Sequence, residues 1–246
     1  IVALRPSVED APTDEGVLRL SGCQLPREDE TILDREDCLF GDVSGDRSVV
    51  LRGDSIASAV FPPLEKAARD RGWQLTGWAK AACTLGDFDV FKQNTTTPWP
   101  GCAAWREDVL ERTLALKPDA VVIANSGNSH NRISVLVDDV GKDQRDELIQ
   151  EGLARTVERF TDAGIRVILV ESPHRAPYAI PECLLDELSI SACTYKHRGE
   201  SNHTDELAAR HDDIIYVESN DVMCKGEECF AAVDGMMFDE ALAQAE

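Results

Sequence analysis

Residues 46–55 read DRSVVLRGDS and join an apolar strand pattern to an abrupt turn. The apolar residues at 49–51 favour a short buried strand, and Gly53-Asp54-Ser55 follows directly. A helical spacing of apolar residues then runs to Arg71-Gly72, through Ala59, Phe61, Leu64, Ala67 and Ala68. This stretch therefore predicts a strand, a tight turn and a helix, with Ser55 at the start of the helix.

The same alternation of strand and helix continues along the chain. Strands are predicted at 73–79, 120–124, 166–170 and 214–217, and helices at 103–116, 144–163 and 205–211. Such alternation indicates an α/β fold, a single three-layer domain with a central parallel sheet. We assign residues 46–246 to this domain, and the polar residues 1–45 to an extended lead-in that packs on it.

Charge and hydropathy exclude several classes of protein. The 246 residues include 46 Asp and Glu against 25 Lys and Arg, a formal net charge of −21. Because phosphate groups would be repelled, we expect no nucleic-acid partner and no anionic bilayer surface. Apolar runs stay below the roughly 18 residues of a membrane span, and the N-terminus lacks the pattern of a signal peptide.

Eight cysteines fall into four pairs of sequence neighbours, which predicts the local disulfides Cys23–Cys38, Cys83–Cys102, Cys183–Cys193 and Cys224–Cys229. Eight cysteines allow on the order of a hundred pairings, so this assignment is a hypothesis. Zinc at Cys224-x4-Cys229 is the alternative, although no second pair completes a tetrahedral site. We expect no metal or other cofactor. Disulfides persist outside the reducing cytosol, so an extracytoplasmic segment of a longer polypeptide is predicted.

Ligands of parallel sheets gather at the carboxyl ends of the strands. In this chain those ends are expected at Gly53–Ser55, Lys80–Cys83, Asn125–Asn128 and Glu171–His174. Ser55 suits a nucleophile, because a helix start offers backbone N–H groups to an oxyanion. The alternative is that Ser55 only caps the helix.

Short motifs follow one another in a definite order: CLFGD at 38–42, VVLRGDS at 49–55, FPPL at 61–64, RGW at 71–73, KAAC at 80–83, CAAWR at 102–106, LKPD at 116–119, ESP at 171–173 and PEC at 181–183. Over residues 20–237 this order resembles the SGNH (GDSL-like) hydrolase family, and more closely the SGNH domain fused behind the membrane domain of type-three acyltransferases. The resemblance implies an SGNH/flavodoxin-like fold and O-acylation, usually O-acetylation, of cell-envelope glycans or lipids.

The resemblance also implies roles for individual residues. Ser55 matches the nucleophile, and Asp54 is its turn-forming neighbour. Ala82 stands in the second block, where a backbone N–H joins the oxyanion hole and glycine is common. Asn128 is the first choice for the asparagine of the third block, and Asn125 is the second.

The chain departs from the family at two places. Ile56 replaces the histidine that often follows the serine, a change expected to alter the pocket wall. The Asp-x-x-His motif that supplies the general base is not found, since no histidine follows His211. Either the domain lacks its base, or residues are missing around Met237 and Phe238. His174 is the fallback base, while Trp99 is considered as the floor of a sugar cleft.

The resemblance implies partners and a location as well. An N-terminal membrane domain would deliver the acyl donor, and an envelope glycan or glycolipid would accept the acyl group at the extracytoplasmic face of the membrane. The alternative is a catalytically inactive SGNH-like module that binds carbohydrate or docks on the membrane domain. A simple secreted esterase is a third hypothesis.

Overall fold

The structure is a computed structural model that describes residues 4, 7–10, 16–27, 38–92, 95, 97–126, 142–174, 176–197, 204–233 and 236–237. Its strands are β1 (Gln24–Leu25), β2 (Leu39–Gly41), β3 (Arg47–Gly53), β4 (Trp73–Lys80), β5 (Ala120–Ala124), β6 (Arg166–Val170), β7 (Tyr195–Lys196), β8 (Ile215–Val217), β9 (Cys224–Lys225), β10 (Glu228–Cys229), β11 (Ala232–Val233) and β12 (Met236–Met237). Its helices are α1 (Gly16–Leu20), α2 (Ser55–Arg71), α3 (Pro100–Leu116), α4 (Lys142–Asp162), α5 (Ile180–Glu187), α6 (Thr204–Ala209) and α7 (Asn220–Met223), with a 3-10 turn at Ile190–Cys193.

The main sheet has seven strands, and β3 lies in its centre. The order is β1-β4-β3-β5-β6-β8, and all of these neighbours are parallel, whereas β2 pairs antiparallel with β4. The continuously buried β5 is the apolar run predicted to be covered on both faces. The predicted α/β fold with a central parallel sheet is therefore confirmed.

Helices cover both faces of this sheet. Successive residues of a strand point to opposite faces. Gly53 faces α2, since a Cβ on it would lie 3.1 Å from the Cβ of Ala57. Arg52 faces the other side, where it contacts the carbonyl oxygen of Arg106 on α3 and the ring of Phe160 on α4. The α2 layer and the α3–α4 layer thus enclose the sheet between them.

The described residues of the predicted lead-in contribute to the main sheet. Helix α1 packs against α2, and its Leu18 is buried. Both β1 and β2 pair with β4, at positions 79–80 and 74–76 respectively. In the described part of residues 1–45, α1, β1 and β2 therefore complete one edge of the domain.

Disulfide bonds join the pairs Cys23–Cys38, Cys83–Cys102, Cys183–Cys193 and Cys224–Cys229. These are the local pairs predicted from the sequence. They cross-link loops of the α/β domain, as expected. The zinc alternative for Cys224-x4-Cys229 is wrong, because both sulfur atoms are bonded to each other.

A small second layer lies beside the C-terminal part of the sheet. Strands β7, β10 and β9 form an antiparallel sheet that shares a separate apolar core with α5. Two disulfides lie in this layer, Cys183–Cys193 and Cys224–Cys229. They support a region whose own core holds few apolar side chains. No helix in the described ranges is both long and apolar enough to span a bilayer.

The close approach of β3 and β5 explains the glycine before the predicted nucleophile. Gly53 pairs with Ala124, and a Cβ on Gly53 would lie 1.8 Å from the Ala124 carbonyl oxygen. That oxygen belongs to a central strand, so it has no room to withdraw. Only glycine fits at the end of β3, directly before Asp54 and Ser55.

We expect Gly53→Ala to lower the free energy of unfolding by at least about 3 kcal/mol, because the new methyl group overlaps a backbone atom of the sheet. Gly164→Ala is the control: its φ is +75°, but its Cβ would meet nothing within 4 Å. There we expect only the left-handed backbone penalty of about 1–2 kcal/mol. Denaturant unfolding of both variants measures the difference, and equal losses would contradict the steric explanation.

Candidate active site

Asp54, rather than Ser55, caps helix α2. Its Oδ1 accepts a hydrogen bond from the Ile56 N–H at 2.9 Å, and its carbonyl oxygen accepts one from the Ala57 N–H at 3.1 Å. Ser55 is the first residue of the helix, and its Oγ makes no hydrogen bond with any described residue. The hypothesis that Ser55 serves only as a cap is therefore wrong, because its neighbour fills that role.

Asp54 also joins two of the strand ends. Its Oδ2 accepts a hydrogen bond from the Ser126 N–H at 2.8 Å, and only 3% of the residue is exposed. The two carboxylate oxygens thus bind backbone N–H groups of the turns that follow β3 and β5. Each N–H group binds the carboxylate as an acceptor, so Asp54 connects the two turns.

Ala82 lies in a tight turn after β4. The Cys83 N–H donates to the Lys80 carbonyl oxygen at 3.1 Å, and Ala82, the third residue of the turn, has φ 60°. Glycine is usual at such a position because of its positive φ. The Ala81 N–H donates to Leu25 at 2.9 Å, while the Ala82 N–H has no partner among the described residues. The turn leaves one N–H group available at the carboxyl edge.

The base of this turn is buried. Lys80 has no exposed surface, and its Nζ lies 3.3 Å from the Pro26 carbonyl oxygen and 5.6 Å from the centroid of the Trp99 ring. Trp99 is itself 3% exposed. The hypothesis that Trp99 floors an open sugar cleft is wrong, since its ring packs under the Lys80 ammonium group.

Asn125 follows β5 directly, beside Ser126. Its Oδ1 is buried without a hydrogen-bond partner, although the residue as a whole is half-buried. Its Nδ2 has no partner among the described residues, and it is not buried. The amide nitrogen is therefore the more accessible end of the carboxamide. Asn128, the first choice from the sequence, lies outside the described residues.

His174 occupies the loop after β6. Its backbone N–H donates to Asn220 Oδ1 at 2.8 Å, and its carbonyl oxygen accepts from the Tyr195 hydroxyl at 2.8 Å. Its ring stacks on His197 with the ring planes parallel and the centroids 3.9 Å apart. None of these contacts reaches Ser55. With strands about 4.8 Å apart, the ends of β3 and β6 are roughly 10 Å apart across β5.

Sequence reasoning missed Asn220, which fixes the loop carrying His174. Its Nδ2 donates to the Ser172 carbonyl oxygen at 3.0 Å, and its backbone N–H donates to Glu171 Oε2 at 2.9 Å. Together with the bond to His174, this residue contacts three positions of the loop. A single asparagine 46 residues away in sequence carries no pattern that would have identified it.

Two further observations concern Ile56, the residue after Ser55, and possible metal ligands. Ile56 has no exposed surface. The expectation that this residue alters the pocket wall is wrong, because its side chain lies in the core under α2. Within the described ranges, no group of three or more His, Cys, Asp or Glu side chains is arranged for a metal ion.

Comparison with known families gives one match over most of the chain. A family model described as "SGNH domain (fused to AT3 domains)" matches residues 22–240. A search of curated proteins gives no match.

Comparison with solved structures gives several similar chains, and one of them shows the same fold. The periplasmic domain of a lipopolysaccharide acetyltransferase from Salmonella ser. Paratyphi A is similar, with a TM-score of 0.62 and 14% identity over 93% of this chain and 85% of that one. A GDSL-like lipase from Bacteroides thetaiotaomicron has a TM-score of 0.44 and 17% identity over 79% of this chain and 82% of that one. Axe2, an acetylxylan esterase from Geobacillus stearothermophilus, has a TM-score of 0.40 and 14% identity over 74% and 80%.

The strained turn after β4 can be tested directly. We expect Ala82→Gly to raise the free energy of unfolding by up to about 1 kcal/mol, because glycine relieves the left-handed backbone at φ 60°. Ala81→Gly is the matched control, and there we expect a loss of about 0.4–1 kcal/mol, since the added freedom of the unfolded chain is not offset. Chemical denaturation reports both values, and destabilisation of the same size in both variants would contradict the turn assignment.

Proposed function

This chain belongs to the family of SGNH domains that are fused to AT3 domains, and we propose that it is the acyl-transferring domain of a membrane O-acyltransferase. The acyl group, expected to be acetyl, would pass through an ester on Ser55 to a hydroxyl of a cell-envelope glycan or glycolipid. The name of the similar Salmonella domain, a lipopolysaccharide acetyltransferase periplasmic domain, supports this class of acceptor.

The free hydroxyl of Ser55 carries the proposal. Asp54 caps the helix, so Ser55 Oγ is not consumed by the structural bond that a serine at a helix start usually makes. The residue is fixed by its neighbours, while its hydroxyl retains its proton and its lone pairs. This is the state that a serine nucleophile requires before a base removes the proton.

Three donors support an oxyanion hole next to Ser55. They are the Ser55 N–H, which has no partner within the helix because it belongs to the first residue, the Ala82 N–H and Asn125 Nδ2. They come from the ends of three adjacent strands, β3, β4 and β5. Loss of one such donor typically lowers the rate about 10²–10³-fold.

The chemistry has two balanced steps. Ser55 Oγ attacks the carbonyl carbon of the acyl donor, its proton passes to a general base, and the leaving group departs with that proton. The acceptor hydroxyl then attacks the acyl-serine ester and gives its proton to the base, which returns a proton to Ser55 Oγ as the acyl–oxygen bond breaks. Our candidate for the base is His174, which the Asn220 contacts fix on the same edge of the sheet.

Partners and location belong to the same proposal. The fusion that defines the family supports a membrane domain that delivers the acyl donor. Four disulfides support an oxidising compartment, at the extracytoplasmic face of the membrane.

One observation favours a second candidate function. No described histidine forms a hydrogen bond with Ser55. A domain without a base would be an inactive module that binds carbohydrate or docks on the membrane domain.

Covalent labelling distinguishes the two candidates. We expect a fluorophosphonate to label the wild-type chain at Ser55, and Ser55→Ala to abolish the adduct in intact-mass spectra. Ser58→Ala is the matched control one turn along α2, where the hydroxyl donates to Gln24 Oε1 at 2.5 Å. That variant should label like the wild type. Absence of label at Ser55 in the wild-type chain would contradict the enzyme hypothesis and favour the inactive module.

The role of His174 has its own test. We expect His174→Gln to slow fluorophosphonate labelling of Ser55 by about 10²–10⁴-fold, because the serine proton loses its acceptor. His211→Gln, after α6, should leave the rate unchanged, and circular dichroism checks that both variants fold. An unchanged rate in His174→Gln would remove this residue from the mechanism while leaving Ser55 as the nucleophile.

A further inference from the structure

Arg52 is a buried cation directly before Gly53-Asp54-Ser55. Its side chain has no exposed surface and lies between β3, α3 and α4. Its Nη2 donates to the Arg106 carbonyl oxygen at 3.3 Å, and the guanidinium carbon lies 5.1 Å from the centroid of the Phe160 ring. Its Nε and Nη1 are buried and have no hydrogen-bond partner among the residues that the structure describes. Two of the three guanidinium nitrogens are thus left without an acceptor.

The charge with the largest effect on Arg52 is also positive and belongs to Arg106. Arg106 is 8% exposed, and its guanidinium donates to the carbonyl oxygens of Gly86 and Phe88, the second at 2.5 Å. Burial and, to a smaller extent, the charge of Arg106 lower the pKa of Arg52 to about 9, although Glu107 partly offsets them. Burial likewise lowers the pKa of Arg106 to about 10, although the charges of Asp87 and Asp89 act in the opposite direction. In the described part of the chain, neither arginine forms an ion pair with a carboxylate.

Carbonyl oxygens and an aromatic face do not neutralise these two charges, and the carboxylates that act on them, Glu107, Asp87 and Asp89, are exposed to solvent. A guanidinium removed from water without a counter-charge is strongly destabilising, and removal of its partner is among the costliest changes in a core. A buried water molecule would accept one N–H group but would leave the charge uncompensated. Helix α3 contributes one more buried donor without a partner, the Trp105 Nε1. The contact between β3 and α3 therefore contains more buried hydrogen-bond donors than acceptors, and its buried charges are positive.

We propose that a small monovalent anion of the halide class binds at Arg52, where it accepts hydrogen bonds from the unpartnered guanidinium N–H groups. The complete burial of Arg52 excludes large organic anions, because nothing of that size reaches a group with no exposed surface. A single negative charge matches what the site lacks. Since Arg52 is the residue before Gly53, the bound ion would stabilise the end of β3 from which Ser55 projects. This inference does not depend on the proposed acyl transfer.

The test is thermal unfolding of the whole chain, with chloride or bromide replacing gluconate at constant ionic strength. Anything that binds only the folded state raises Tm in a saturable way. We expect an increase of about 5–10 °C at roughly 100 times the Kd. Arg52→Met should abolish the increase, and Met suits the buried position without a charge. Arg159→Met is the control: it removes the same charge from an exposed ion pair with Glu111, and it should keep the full increase.

A second measurement does not require the Arg52→Met variant to fold. In wild-type crystals grown with bromide, we expect an anomalous peak within hydrogen-bond distance of the Arg52 guanidinium. A site occupied by water alone, or a chloride response that survives in Arg52→Met, would overturn the proposal.

Discussion

The carboxylate of Asp54 is the interaction on which the rest of the site depends. One oxygen binds the Ile56 N–H and begins α2, and the other binds the Ser126 N–H and fixes the turn after β5. A negative charge at this place also faces the positive end of the α2 dipole. Because Asp54 performs both tasks, the Ser55 hydroxyl is not needed for a structural hydrogen bond.

The order of the main sheet determines which groups can act together. β4 and β5 flank β3, so the turns that carry Ala82 and Asn125 lie on either side of Ser55. β6 is one strand further, and its loop is fixed from a distance by Asn220 rather than by the sheet. The proposed oxyanion donors thus follow from the topology, whereas the position of His174, the proposed base, depends on the small disulfide-bonded layer.

The sequence predicted the features that have a local pattern. The apolar runs gave the main parallel strands, and the spacing of neighbouring cysteines gave the disulfides. Short strands such as β1 and β2 were not predictable, because two or three residues in a polar segment have no period. The burial of Arg52 was not predictable either, since an arginine in a strand normally marks the exposed face. Asn220 contacts the His174 loop only after the chain has folded.

Buried donors also explain how the irregular chain between β4 and α3 keeps its shape. A loop that forms no β-ladder hydrogen bonds must provide its carbonyl oxygens with other donors. The Arg106 guanidinium binds two of them, at Gly86 and Phe88, and the Thr156 hydroxyl binds a third, at Leu85, at 2.9 Å.

These side chains come from α3 and α4, so the loop is joined to the helical layer rather than to the sheet. The Ala82 turn begins this loop, and the disulfide from Cys83 to Cys102 ties the turn to the first turn of α3. The position of the Ala82 N–H, one of the proposed oxyanion donors, therefore depends on the same helix whose carbonyl group accepts a hydrogen bond from Arg52. Helix α3 therefore contacts the buried guanidinium group of Arg52 and, through the Cys83–Cys102 disulfide, also holds the turn that carries Ala82 at the edge of the sheet.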